Sequence, residues 1–366
     1  MPGAAPSRNE LPELGFYGLA GAAPRPDELL GEVTAAERLG LGSVFLSERF
    51  STKDAGVLAG AAAAVSERIG IATAATNPQT RHPLITATLA ATVHRLSGGR
   101  YALGLGRGFD ALFDVMGLPR VTSAQLADVI GIYRRLWHGQ AVIGHDGPAG
   151  RFPYLSQGSD LDEDIPILVV AIGDATLRLA GRVADAVVLH TFLTDEALAR
   201  SVSTVRTAAE EAGRDPAAVR IWSVLATVED SVPEPAQLRK LPGRLATYLQ
   251  GYGEVLVRAN RWDPAELERF RSDPWVREHG GAFDASADLD DLRRLADLLP
   301  PSWLRACATG SAPVCAGRIR DQFEAGADSV VLHGATPAEL EPVLAAWRPI
   351  RPGGLDRLPR NPGRAA

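Results

Sequence analysis

Four short segments of the chain hold residue types that could seat a cofactor or move a proton. In Thr73-Ala74-Ala75-Thr76-Asn77-Pro78-Gln79-Thr80-Arg81-His82-Pro83, small side chains at Ala74 and Ala75 would let a flat ring lie against the main chain, and Thr76 and Asn77 add polar contacts. In Leu103-Gly104-Leu105-Gly106-Arg107-Gly108-Phe109-Asp110, the alternate glycines Gly106 and Gly108 permit close backbone approach and Arg107 could meet an anion. As a dinucleotide fingerprint the segment is weak, because the third glycine that packs a following helix is missing and no properly placed acidic residue ends a second strand of a Rossmann unit. The third segment runs Val169-Val170-Ala171-Ile172-Gly173-Asp174 into a helical stretch, so Ala171 and Gly173 mark a small-residue turn whose free amides suit a phosphate. Asp174 reads there as a helix cap. The fourth places Glu48 and Arg49 just past Ser43–Ser47, where an ion pair or a substrate contact is expected. His190 and His333 each end an apolar run and could supply a proton. Each feature also has a plain structural reading: a turn, an exposed ion pair, a satisfied core histidine.

Short runs rich in Val, Ile and Leu alternate with longer stretches of helical period, the pattern of a parallel sheet wrapped in helices. The runs Leu14–Leu19, Ser43–Ser47, Ile69–Thr73, Tyr101–Leu105, Ile167–Val170, Ala186–His190, Arg220–Val228 and Ser329–His333 number eight. Eight parallel strands close a (β/α)₈ barrel, and in that α/β fold the ends of the strands form the catalytic face. Pro26-Asp27-Glu28 opens a helix that Gly40 stops, and Pro83 opens another that ends near His94. Gln140–Leu155, with Gly144, Gly147, Pro148 and Gly150, reads as a hairpin excursion. Residues 1–350 are expected to form a single barrel domain, with a helical insertion over 230–307 between the seventh and eighth strands. The Pro-, Gly- and Arg-rich tail, 351–366, is expected to be disordered.

Composition narrows the function classes. The 366 residues carry a formal net charge of −6, which argues against a nucleic-acid or anionic-membrane partner and leaves a small molecule as the expected substrate. Lysine occurs only at Lys53 and Lys240, so arginines and backbone amides must meet any phosphate. Cys307 and Cys315 are too few for a zinc site, no metal is expected, and both thiols are expected to be reduced. The first ten residues lack an apolar signal core and no run approaches a membrane span, so a cytoplasmic protein is expected.

Together these segments resemble the luciferase-like superfamily, and within it the branch that uses the deazaflavin coenzyme F420. The segment Thr76-Asn77-Pro78-Gln79-Thr80-Arg81-His82-Pro83 is similar to the sequence after the strand-three bulge in methylenetetrahydromethanopterin reductase and its relatives. The resemblance implies a non-prolyl cis peptide at Ala74-Ala75, pressed against the deazaflavin ring, with phosphate held near Gly173. It also implies a homodimer. Sugar-phosphate and alcohol dehydrogenases of this branch use a histidine after strand two, and the former adds a glutamate after strand four; Arg49 and Phe109 stand at those places. The expectation is therefore an F420-dependent oxidoreductase, a reductase rather than an alcohol dehydrogenase. An FMN-dependent monooxygenase and a non-catalytic barrel subunit are the alternatives.

Overall fold

The computed structural model describes residues 10–21 and 24–366. Its strands are β1 (Leu11–Tyr17), β2 (Leu41–Leu46), β3 (Gly70–Thr73), β4 (Tyr101–Leu105), β5 (Val142–Gly147), β6 (Gly150–Leu155), β7 (Ile167–Val170), β8 (Ala186–Val188), β9 (Arg220–Glu229), β10 (Ala308–Gly310) and β11 (Ser329–His333). Strands β1, β2, β3, β4, β7, β8, β9 and β11 pair in parallel in that order, and β11 returns to β1, which closes the barrel. All eight runs read from hydrophobic pattern are barrel strands, because a strand buried on both faces needs an unbroken apolar run. The barrel interior is filled by Phe45, Trp222, Leu168 and Val331 against the small Ala72, Ala102 and Ala186. Phe45 and Trp222 meet edge to face at 4.9 Å. That packing makes the barrel a solid base and leaves only its rim for chemistry.

The Gln140–Leu155 excursion is the antiparallel hairpin β5–β6. The stretch from 230 to 307 holds helices that include Glu234–Leu238, Arg244–Asn260, Pro264–Ser272 and Leu289–Leu298. A further strand follows that stretch: β10 is three residues long and pairs with the end of β9 beyond the rim, at Ala308↔Thr227. Three residues are too few to show a period. Among the described residues no helix is long and apolar enough to cross a membrane.

The tail contradicts its composition. It crosses the bottom of the barrel, where Trp222 Nε1 donates to Pro362 O at 2.8 Å and Asn361 Nδ2 donates to Gly99 O at 2.8 Å and Tyr101 O at 3.0 Å. The buried Arg220 guanidinium donates to Pro359 O, Asn361 O and Arg364 O, and to Pro12 O of the first strand. Burial pulls its pKa down to about 9. Close approach depends on Gly70, where a Cβ would stand 2.1 Å from Arg360 O. A tail without its own period is ordered because buried donors on the barrel claim its carbonyls. Arg220→Met is therefore expected to free the tail, read as rapid amide exchange over 359–364 and a lower melting temperature; unchanged protection would contradict this anchoring.

Candidate active site

At the end of β3 the chain leaves the barrel wall through a cis peptide bond between Ala74 and Ala75. Backbone hydrogen bonds hold this bulge on both sides: Ala74 N to Leu46 O at 2.8 Å, Glu48 N to Ala75 O at 3.2 Å, Thr76 N to Gly104 O at 3.0 Å and Gly106 N to Thr76 O at 3.0 Å. Glycine is needed beside it, since a Cβ on Gly104 would stand 1.7 Å from Thr73 O and one on Gly106 would stand 3.0 Å from the Ala75 methyl. Asn77 is buried and donates through Nδ2 to Gly106 O at 2.9 Å, tying the two expected cofactor segments together. The result is a platform of main chain and methyl groups facing the barrel mouth.

Glu48 does not partner Arg49. Its carboxylate takes the fork of Arg81, at 2.5 Å to Oε1 and 3.1 Å to Oε2, and the Thr76 hydroxyl at 2.7 Å. This pairing with Glu48 holds the Arg81 guanidinium above its ordinary range. Glu48 thus clamps the bulge to the β2 end, accepting three hydrogen bonds from Arg81 and Thr76. Arg107 is also committed, donating through Nε to Val121 O at 2.8 Å. Gly108 adopts φ +75° and is exposed, and a Cβ there would collide with Phe113.

Across the mouth, Ala171 is buried and Gly173, not Asp174, is the N-cap of the helix Asp174–Val183. Asp174 is the first helical residue and is exposed, lying 3.7 Å from Arg178. It takes no capping role because the flanking glycine carries the chain into the helix. The amides of Ile172, Gly173, Asp174 and Ala175 find no acceptor among the described residues, while Thr176 N and Leu177 N both bond Gly173 O. Such a run of free donors at a helix start suits a phosphate. A Cβ on Gly173 would meet the Val255 side chain at 3.6 Å, an ordinary van der Waals contact.

The facing wall comes from the helix Arg244–Asn260, where Arg244 and Tyr248 stand four residues apart on one face; the backbone kinks at Tyr252 (φ −146°, ψ 36°), and its ring lies 5.4 Å from that of Tyr248. The Tyr252 hydroxyl lies 2.8 Å from His190 Nε2, and His190 Nδ1 lies 2.8 Å from Thr191 O. A carbonyl only accepts, so Nδ1 carries the proton and Nε2 accepts from Tyr252. The same logic applies to His333: Arg244 Nη1 donates to Nε2 at 3.2 Å, so Nδ1 donates to Thr191 Oγ1 at 2.9 Å. Desolvation pulls His190 down to about 4, and desolvation together with the Arg244 charge pulls His333 well below its ordinary value. Both rings are therefore neutral near pH 7 with their lone pairs occupied. The expectation that either supplies a proton does not fit this geometry; they hold Tyr252 and Arg244 instead.

These depressed histidines set a sign for stability. Between the folded value near 4 and the ordinary 6.5, the unfolded chain binds more protons than the folded one, so stability falls as pH drops through that window. We expect the melting temperature to fall from pH 6.5 to pH 4, and His190→Gln to flatten part of that slope. An equally steep slope in the variant would contradict the assignment.

Arg49 lies on the other flank. Its Nη2 is 3.6 Å from Asp284 Oδ2, the oxygen that Arg244 Nε approaches at 2.6 Å. Lys53 is buried beside them, donating to Leu19 O at 2.8 Å and Ser47 Oγ at 3.1 Å. Arg81, Lys53, Arg244, Tyr248, Tyr252 and Asp284 were not among the residues singled out from sequence. Only the four-residue spacing of Arg244, Tyr248 and Tyr252 offered a signal, and it gave no hint of which way that face points.

The family described as luciferase-like monooxygenase matches this chain over residues 11–329. A 5,10-methylenetetrahydromethanopterin reductase from Methanolobus tindarius is 28% identical over 301 residues, covering 81% of this chain and 86% of the relative. An F420-dependent glucose-6-phosphate dehydrogenase from Beutenbergia cavernae is 33% identical over 177 residues, 44% of this chain and 51% of that protein. The solved coenzyme F420-dependent tetrahydromethanopterin reductase from Methanopyrus kandleri superposes with a TM-score of 0.76 at 20% identity, covering 93% of this chain and 99% of that one, a likeness of fold. With a closed barrel, a bulge after β3 and a match over most of its length, the chain belongs to the luciferase-like monooxygenase family.

Proposed function

We propose that the protein is an F420-dependent oxidoreductase that reduces a small organic substrate in the cytoplasm. The residues present fit the cofactor: the Ala74-Ala75 platform offers a flat face without bulky side chains, and the unpaired amides from Ile172 to Ala175 offer a phosphate seat. The names of the two relatives that match in sequence support the same cofactor. Bound there, the reduced deazaflavin supplies a hydride. The chain's own part is to fix the platform through the Glu48–Arg81 clamp, to screen the mouth from water with Tyr248 and Tyr252, and to orient the substrate through Arg49.

The observation that carries the direction of the reaction is the state of the two histidines. Oxidising an alcohol needs a base to take the hydroxyl proton. The His190 lone pair is bound by Tyr252 and that of His333 by Arg244, so the mouth offers no free imidazole. Reduction needs the opposite, a proton donor to complete the product once the hydride has arrived, and a group that is already protonated, such as a hydroxyl or an ammonium, can fill that role. Titration of the purified chain with F420 and with FMN tests the cofactor, and F420 is expected to bind at least about 100-fold more tightly, a difference of about 2.7 kcal/mol. Tight FMN binding without F420 binding would favour a monooxygenase on the same barrel.

The same reading includes a homodimer. Val57, Ile85 and Leu96 are exposed on the neighbouring helices Ala55–Val65 and Pro83–Leu96, an apolar face that a second copy would cover. Val57→Glu is expected to halve the mass seen by light scattering at micromolar concentration; an unchanged dimer would place the interface elsewhere.

A further inference from the structure

The flank of the mouth opposite the platform carries more positive charge than the protein neutralises. Arg49 and Arg244 share one carboxylate, that of Asp284, whose side chain is fully buried. Lys53, 4% exposed, sits one tight turn from Arg49, the two backbones exchanging hydrogen bonds at 3.0 and 2.8 Å. Its ammonium bonds only neutral oxygens, and no carboxylate lies within ion-pair distance among the described residues. The other charged groups facing it do not settle the balance. Glu32, on the helix Glu28–Arg38, accepts from Leu19 N and offsets Lys53 only from beyond ion-pair distance, and Glu339 is taken by Lys240 at 2.5 Å, so Arg49, Arg244 and Lys53 face two carboxylates, Asp284 and Glu32. His333 is neutral, as its partners require.

A buried cation without a counter-charge is costly, and a ligand that brings the missing negative charge removes that cost. We propose that the mouth takes a substrate bearing an anionic oxygen group, a carboxylate or a phosphate, seated against Arg49, Lys53 and Arg244. The proposal rests on the reading of the mouth as a hydride-transfer site and adds the class of substrate. It also excludes a class: the same field repels a substrate whose reacting group is a free cation. Desolvation, then Arg49 and Arg244, pull Lys53 down to about 7, so at pH 8 much of it is neutral. An anion placed beside it raises that value again and draws a proton from solvent.

Isothermal titration of the F420-loaded protein at pH 8 with inorganic phosphate and, separately, with succinate tests this, in two buffers of different ionisation heat and at constant chloride. At least one of the two anions is expected to bind saturably with net uptake of up to one proton, and the anion that binds identifies the source of the charge. Lys53→Met is expected to abolish the uptake, and Arg49→Met, a change at a partly exposed side chain, to weaken binding at least ten-fold while F420 affinity stays within two-fold. If neither anion saturates, or if Arg49→Met leaves binding unchanged, the proposal is overturned. Failure of the wild-type chain to bind F420 would overturn the hydride-transfer reading instead, and the anion titration on the unliganded chain, with the same variants, would still decide the substrate class.

Discussion

Arg81→Ala is expected to remove about 3–5 kcal/mol of stability and to abolish measurable F420 binding, because it leaves the Glu48 carboxylate buried without its counter-charge. Glu48 and Arg81 expose only 5% and 16% of their side chains, so solvent screens the pair little. Thr76 shares both partners, its hydroxyl donating to Glu48 and accepting from Arg81 at 2.9 Å, so losing Arg81 also frees the chain just beyond the platform. Thermal melts and cofactor titration read the two effects separately. The double variant Arg81→Ala/Glu48→Gln should recover part of the stability, since a neutral amide tolerates burial better than an unpaired carboxylate. A single variant that melts within about 1 kcal/mol of wild type would remove the clamp from the account, being the usual range for an exposed pair.

The second large effect belongs to the platform itself. Ala75→Leu places a branched side chain where a flat ring must lie, and the Gly106 backbone beneath leaves it little room to turn away. F420 affinity is expected to fall about 100-fold, or about 2.7 kcal/mol. Because Ala75 is only half-buried, the fold should survive, with the melting temperature little changed. Retained affinity with the added side chain would mean that the cofactor rests on another surface.

The barrel was legible because its strands are buried on both faces and stand out as apolar runs, and Phe45, Leu168 and Val331 point inward as such runs demand. The bulge was legible only through resemblance, since nothing in the residue types Ala74 and Ala75 dictates a cis bond; its position agrees with that expectation. What sequence could not show was pairing. Glu48 stands beside Arg49 in the chain but reaches Arg81, 33 positions on, because the end of β2 and the loop after β3 are neighbours on the rim. His333 ends β11 as expected and His190 lies two residues past the end of β8, yet their protonation is set by Arg244 and Tyr252, which arrive from the helix after β9. The tail failed for a related reason: its order comes from Arg220 and Trp222, not from itself.

The proposed function requires a deazaflavin on the Ala74-Ala75 platform with its phosphate at the amides that open the helix Asp174–Val183. A crystal structure of the chain with F420 tests it most directly. The ring is expected in van der Waals contact with Ala74 and Ala75 and the phosphate within hydrogen-bond distance of the Gly173, Asp174 and Ala175 amides. Electron density for the ring on any other surface, or a phosphate held away from that turn, would contradict it.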